Sequence, residues 1–182
     1  MRLNSARCAL IVTTHSPTRR LRLARRELLL AAKAEGKAKS DWWLFFGCRN
    51  ENKDFLYRAE LEGSVERGVL HKLTAAFSRD SEEVHFYPSP SALGACLCER
   101  VRAGWQVVYV QHRMVEHGAD IADRLLNANA SIYVCGDGAG VVKGVNAAVV
   151  EILQKFGGLE PTVAKDFHAS LLKDRRLLFD VW

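Results

Sequence analysis

Apolar positions along the chain fall into short unbroken runs separated by longer stretches of helical period. "CALIV" (8–12), "WWLFFG" (42–47), "LHKLTAAF" (70–77), "WQVVYVQ" (105–111), "SIYVC" (131–135) and "RRLLFDVW" (175–182) predict strands. Between them, helical pattern predicts helices over Arg19–Glu35, Asn52–Arg67, Arg113–Asn127, Val141–Phe156 and Glu160–Lys173. In the fourth, Val141, Val145, Ala148, Val149 and Leu153 keep one apolar face while Lys143 and Glu151 lie outside it. Such alternation predicts an α/β fold, doubly wound, with a mostly parallel sheet of five to six strands and helices on both faces. Ligands of these sheets bind beyond the carboxyl ends of the strands. There the chain concentrates its polar clusters: "GCRNENKD" after the second predicted strand, "SRD" after the third, "QHR" after the fourth and "CGDGAG" after the fifth.

Residues 81–104 break the alternation. Pro88, Pro90 and several small residues predict an exposed excursion rather than a core element. Neither an internal repeat nor a second domain is visible, so residues 1–40 are expected to supply a first strand and a basic helix to the same domain as residues 41–182.

Composition narrows the classes. A chain of 182 residues, 48% hydrophobic and 26% charged, suits one globular domain, and no apolar run approaches the roughly 20 residues of a spanning helix. Five cysteines, without disulfide-rich spacing, point to a reducing compartment. Cys96 and Cys98 with His85 lack the paired spacing of a metal site and are read as incidental; no metal is expected. The net charge is +5, and much of the excess sits in "RRLRLARR" (19–26), ahead of the first acidic residue, Glu27. That composition resembles a transit peptide and also a nucleic-acid patch. With no aromatic-interleaved basic stripe elsewhere, a solvated helix face is the preferred reading and no nucleic-acid partner is expected.

The stretch "SIYVCGDGAG" raises the question of chemistry. A strand ending on Cys135 and turning through Gly136, Gly138 and Gly140 into a helix brings backbone close to a flat or phosphorylated ligand. It also describes an ordinary tight turn with a small buried thiol. Other clusters tilt the balance. A monoester phosphate calls for Arg with hydroxyl donors at a turn, and Ser78 and Arg79 provide them; Arg49 adds a second cation, and Tyr109 can stack on a purine. Singly, Arg79 reads equally well as a surface charge paired with Asp80, and Tyr109 as a strand aromatic.

"FFGCRNENKDFLYRAEL", "AFSRD", "VYVQHRM", "IYVCGDG" and the terminal "DVW" together resemble, in order, the NADPH-binding module of the diflavin reductases, the cytochrome P-450 reductase pattern above all. The resemblance covers most of the chain from Trp43 to Trp182. It implies that Ser78, Arg79 and Tyr109 hold the 2'-phosphate and adenine of NADPH, with Arg49 and Gln111 along the ribose and phosphates. It further implies that Cys135 touches the nicotinamide beside Gly136 and Asp137, as a polarizable packing group rather than a nucleophile. Asp180 would orient the hydride-transfer pair, and Trp182 would stack on a flavin and move aside for nicotinamide. FAD and FMN would belong to flavin domains of a full-length parent, with a cytochrome-like electron acceptor as partner. The parent would be cytoplasmic, attached to the endoplasmic reticulum surface in the manner of the microsomal member.

Three departures from that pattern stand out. The family's glycine-rich turn after its first strand is replaced by "TTHSPTRRLRLARR", with no glycine before Gly36. A shifted reading frame at the start of the coding region would produce such a change. Val107 stands where the family carries a lysine, and no flavin-binding segment is recognisable. The expectation is a fragment or truncated product that binds NADPH without turnover. The rival is a non-catalytic module that keeps the fold as an interaction surface.

Overall fold

The computed structural model describes residues 8–14, 41–80, 107–136 and 138–181. Strand β1 (Ala9–Thr14) and strand β2 (Trp42–Cys48) are followed by helices α1 (Glu51–Asp54) and α2 (Arg58–Glu66) and by β3 (Lys72–Phe77). Helices α3 (Val110–Glu116) and α4 (Gly118–Leu126) lead into β4 (Ser131–Gly136); α5 (Gly138–Lys155) and α6 (Pro161–Lys173) lead into β5 (Leu177–Val181). The strands form one sheet in the order β3-β2-β1-β4-β5, with every pairing parallel.

Both faces of the central strands are covered, which explains why β1 and β2 read as continuous apolar runs rather than alternating ones. On one face Leu10, Val12, Trp43, Phe45, Ile132 and Val134 pack with Val110 and Met114 of α3, Ile121 and Leu125 of α4, and Val145 and Val149 of α5. On the other, Ile11 and Leu44 meet Leu61 and Val65 of α2. The sheet is therefore doubly wound, as expected, with five strands among the described residues.

The strand predicted over 105–111 is absent where the structure describes it. Residues 107–109 make no ladder, and α3 begins at Val110. The run of β-branched and aromatic residues misled the reading; burial of Val110 and Met114, four apart on one helical face, decides the outcome. The helix predicted over Asn52–Arg67 is interrupted because Phe55 leaves α1 to stack on Phe46, 5.0 Å between centroids, and meets Phe77 edge-on at 5.7 Å. Tyr57 then takes a left-handed backbone, φ 62°, as N-cap of α2. The helix predicted over Arg113–Asn127 starts at Val110 instead and divides at His117. There Gly118 lies under the Phe156 ring, leaving no room for a side chain. The helix predicted from Val141 starts earlier, at Gly138. At the last strand, Arg176 donates from Nε to Ala130 O (3.1 Å) and from Nη2 to Leu125 O (2.7 Å), tying β5 to the end of α4. The predicted helix over Arg19–Glu35 and the excursion at 81–104 lie outside the described residues.

Candidate functional site

Parallel pairing sends the ends of β1, β2, β3, β4 and β5 to one edge of the sheet. The order reverses between β1 and β4, the switch point at which such sheets open a crevice. Cys135 lies at that point, with Thr13 of β1 as its register partner on one side and Asp180 of β5 on the other. The thiol and the carboxylate-bearing residue expected to share a role are thus neighbours across the ladder. Gly136 follows, and the room left by its missing side chain is taken by Thr14: a Cβ at Gly136 would fall inside 3.0 Å of Thr14 Oγ1. Thr14 also reaches toward Gly47 at the end of β2, where a Cβ would stand 3.3 Å from Thr14 Cγ2. Its hydroxyl oxygen is covered and has no hydrogen-bond partner among the described residues.

On the other side of β1, the ends of β2 and β3 continue as a ladder beyond the strands. Ser78 N–H donates to Cys48 O (2.9 Å) and Arg79 N–H to Arg49 O (2.8 Å), so Arg49, Ser78 and Arg79 stand side by side. Both arginines are exposed, and among the described residues neither is paired with a carboxylate. The expected alternative, Arg79 paired with Asp80, is not what the structure shows. Asp80 instead accepts from Asn50 Nδ2 at 2.5 Å through Oδ1 and from the Glu51 N–H through Oδ2. Asn50 Nδ2 also donates to Arg79 O (3.4 Å), and the Asn50 N–H to Asp54 Oδ2 (3.2 Å). Two guanidiniums without a carboxylate partner among the described residues, beside a hydroxyl at a backbone turn, are the residue types that can bind an anion.

Tyr109 sits on the N-cap of α3, not on a strand; its backbone is extended, and the residue is 39% exposed. His112 holds this segment. The Tyr109 N–H donates to His112 Nδ1 (3.3 Å), the rings lie 5.8 Å apart, and burial pushes the imidazole below its ordinary value. Gln111, on the first turn of α3, is turned toward α5: a Cβ at Gly144 would lie 2.9 Å from its Nε2. Asp137 and Trp182 lie outside the described residues.

Asn50, Asp80, His112 and Thr14 were not among the candidates drawn from sequence. The available signal was positional: once β2 and β3 pair in parallel register, the residues after Cys48 and after Phe77 must run alongside. At the opposite edge, Cys8 is buried beside Arg124 and Asp41, and burial raises its pKa while Arg124 opposes the shift; the thiol is a structural group there. No group of three metal-ligating side chains occurs among the described residues. Nor is any described helix long and apolar enough to cross a membrane.

Comparison with known proteins identifies the family to which the chain belongs. A family described as "Oxidoreductase NAD-binding domain" matches residues 25–146, more than half of the chain. Methionine synthase reductase of Rattus norvegicus and that of Homo sapiens are each 36% identical over 140 residues, covering 77% of this chain and 18% of the relative. The sulfite reductase [NADPH] flavoprotein alpha-component of Escherichia coli O157:H7 is 34% identical over 150 residues, 82% of this chain and 21% of the relative. The chain spans about a fifth of the length of these relatives.

Proposed function

Because the chain belongs to the oxidoreductase NAD-binding domain family and its relatives are diflavin reductases, we propose that it is the NADPH-binding module of a diflavin oxidoreductase. Residues 41–182 carry the module, and β1, between β2 and β4, belongs to the same sheet. The observation that carries the reading is the ladder that sets Arg49 beside Ser78 and Arg79, with both guanidiniums free of carboxylates among the described residues.

In this reading Ser78 and Arg79 bind the 2'-phosphate, Tyr109 stacks on adenine, and Arg49 and Gln111 run along the ribose and phosphates. Gly136 and Asp137 bring backbone close to the nicotinamide, against which Cys135 packs. Asp180, next to Cys135 across the ladder, orients the reacting pair. Trp182 covers the flavin and moves aside for the nicotinamide. In a full-length parent, NADPH supplies hydride to FAD, and electrons pass through FMN to an acceptor protein such as a cytochrome. Hydride transfer needs a flavin to receive it, so in this reading the module separated from flavin domains binds NADPH without turnover. The parent works in the cytoplasm, at the endoplasmic reticulum surface.

A second reading, a non-catalytic module with a degenerate nucleotide site, has its own support in Thr14. Where the family carries a glycine turn for the pyrophosphate, a β-branched side chain fills the space between Gly47 and Gly136, and Val107 replaces a cation.

Calorimetry of NADP, NAD, 2',5'-ADP and 5'-ADP against wild type and Arg79→Ala separates the two. The expected result is binding of NADP and 2',5'-ADP, far weaker binding of NAD and 5'-ADP, and a loss of at least about tenfold for the phosphorylated pair in Arg79→Ala, the cost of a charge-assisted contact. Equal affinities for NAD and NADP in the wild type, or no binding by a folded chain, would establish the non-catalytic module.

A further inference from the structure

We propose that Asp80 and Asn50 are positioning residues that set the 2'-phosphate preference of the site, by latching the Arg49 turn to the Ser78–Arg79 turn. The inference rests on the nucleotide reading above and concerns residues that do not touch the ligand.

The two turns come from different strand connections, and among the described residues two backbone bonds beyond the sheet, Ser78 N–H to Cys48 O and Arg79 N–H to Arg49 O, join them directly. The side chains of Asn50 and Asp80 complete the junction. Asp80 spends one carboxylate oxygen on Asn50 Nδ2 and the other on the Glu51 N–H, the first residue of α1. Asn50 Nδ2 also reaches Arg79 O, and the Asn50 N–H is held by Asp54. Each bond crosses from one turn to the other or anchors the turn that bears Arg49. The carboxylate is thereby oriented by two donors and kept off the guanidiniums. An aspartate beside two arginines would otherwise neutralise the cations that a phosphate dianion needs.

This arrangement makes a prediction opposite in sign to that of simple charge. If Asp80 were only a negative group near an anion site, removing it would tighten 2',5'-ADP by relieving repulsion. As a latch, its removal frees the Ser78–Arg79 turn, and the ligand must then restore the order of at least one residue, which weakens binding by about five- to thirtyfold.

Calorimetry of the full chain with 2',5'-ADP and 5'-ADP tests the latch in wild type, Asp80→Ala, Asn50→Ala, Arg79→Ala and Asp80→Ala/Arg79→Ala. Thermal unfolding of each protein serves as the control on folding. The expected result is a five- to thirtyfold loss for 2',5'-ADP in Asp80→Ala and a smaller loss in Asn50→Ala. Affinity for 5'-ADP should stay within about twofold in both, and Asp80→Ala should cost little more once Arg79 is gone, because it acts through that residue. Tighter or unchanged 2',5'-ADP binding in Asp80→Ala, or an equal loss for both ligands, overturns the latch while leaving the nucleotide reading intact. If Asp80→Ala fails to fold, Asn50→Ala carries the same test on one of the same bonds. A wild type that does not distinguish 2',5'-ADP from 5'-ADP overturns the nucleotide reading, and the latch with it.

Discussion

Gly136→Ala is the most direct probe of how the switch point is built. The new methyl would fall inside 3.0 Å of Thr14 Oγ1, 3.5 Å from Thr14 Cβ and 3.4 Å from Val141 Cγ2. Thr14 cannot swing clear cheaply: it is β-branched and stiff at χ1, and its Cγ2 already faces Gly47, on the side that Val110 Cγ1 closes. Backbone of β1 and β4 must separate instead, and overpacking of this kind costs about 1–3 kcal/mol. For a chain of this size, each kcal/mol lowers the thermal midpoint by about 2–4 °C, so a fall of about 2–12 °C is expected. Thr14→Ala alone should be nearly neutral, since it removes a covered hydroxyl without a partner among the described residues along with a methyl group. The double variant Gly136→Ala/Thr14→Ala should recover most of the loss, with a coupling of about 1–3 kcal/mol. Urea unfolding of the four proteins gives the cycle. An additive cycle, or a Gly136→Ala protein as stable as wild type, would show that Thr14 does not occupy the glycine's space.

Two further outcomes follow from side-chain burial. Burial lowers the pKa of His168, which faces Asn146 Oδ1 at 2.7 Å, and also lowers His112 and His117, the last with help from Lys72. The unfolded chain therefore takes up protons first: the stability these residues contribute is present above pH of about 6.5 and is lost as the pH falls through the window below it. The thermal midpoint should drop between pH 7 and 5.5, and His168→Gln should make that drop shallower; an unchanged slope would remove His168 from the account. The Cys48 thiol is pushed up to about 11 by burial, reinforced by Asp54, Asp80 and Glu51, so it should resist iodoacetamide at pH 8 in the folded chain and react on unfolding, as peptide mass spectrometry would report.

Much of the fold could be read in advance because its signal is local. β1, β2 and β4 are apolar runs of strand length bounded by polar clusters, and parallel burial makes such runs inevitable. The errors arise where tertiary contacts outvote local pattern. Val107 and Val108 carry strand-like side chains, yet the next turn is helical because Val110 and Met114 reach the core together. Nothing in "KDFLYR" announces a break, since it is the Phe46 and Phe77 rings, distant in sequence, that draw Phe55 out of the helix. The same distinction holds for the site. Arg49, Ser78, Arg79 and Cys135 stand out as residue types at strand ends, whereas Asn50 and Asp80 become informative only through a contact spanning 30 residues.

The central position of β1 has a consequence for synthesis. Its two neighbours are β2, the next strand in the chain, and β4, whose Ser131 pairs with Ala9 from much later in the sequence. During translation β1, β2 and β3 emerge before β4, so one edge of an apolar parallel strand stays bare until β4 is made. Closing that edge needs the longest-range pairing in the sheet and therefore comes late. Over that interval the nascent chain offers chaperones, or other unfinished chains, the Leu10 and Val12 face on which the finished core is later assembled.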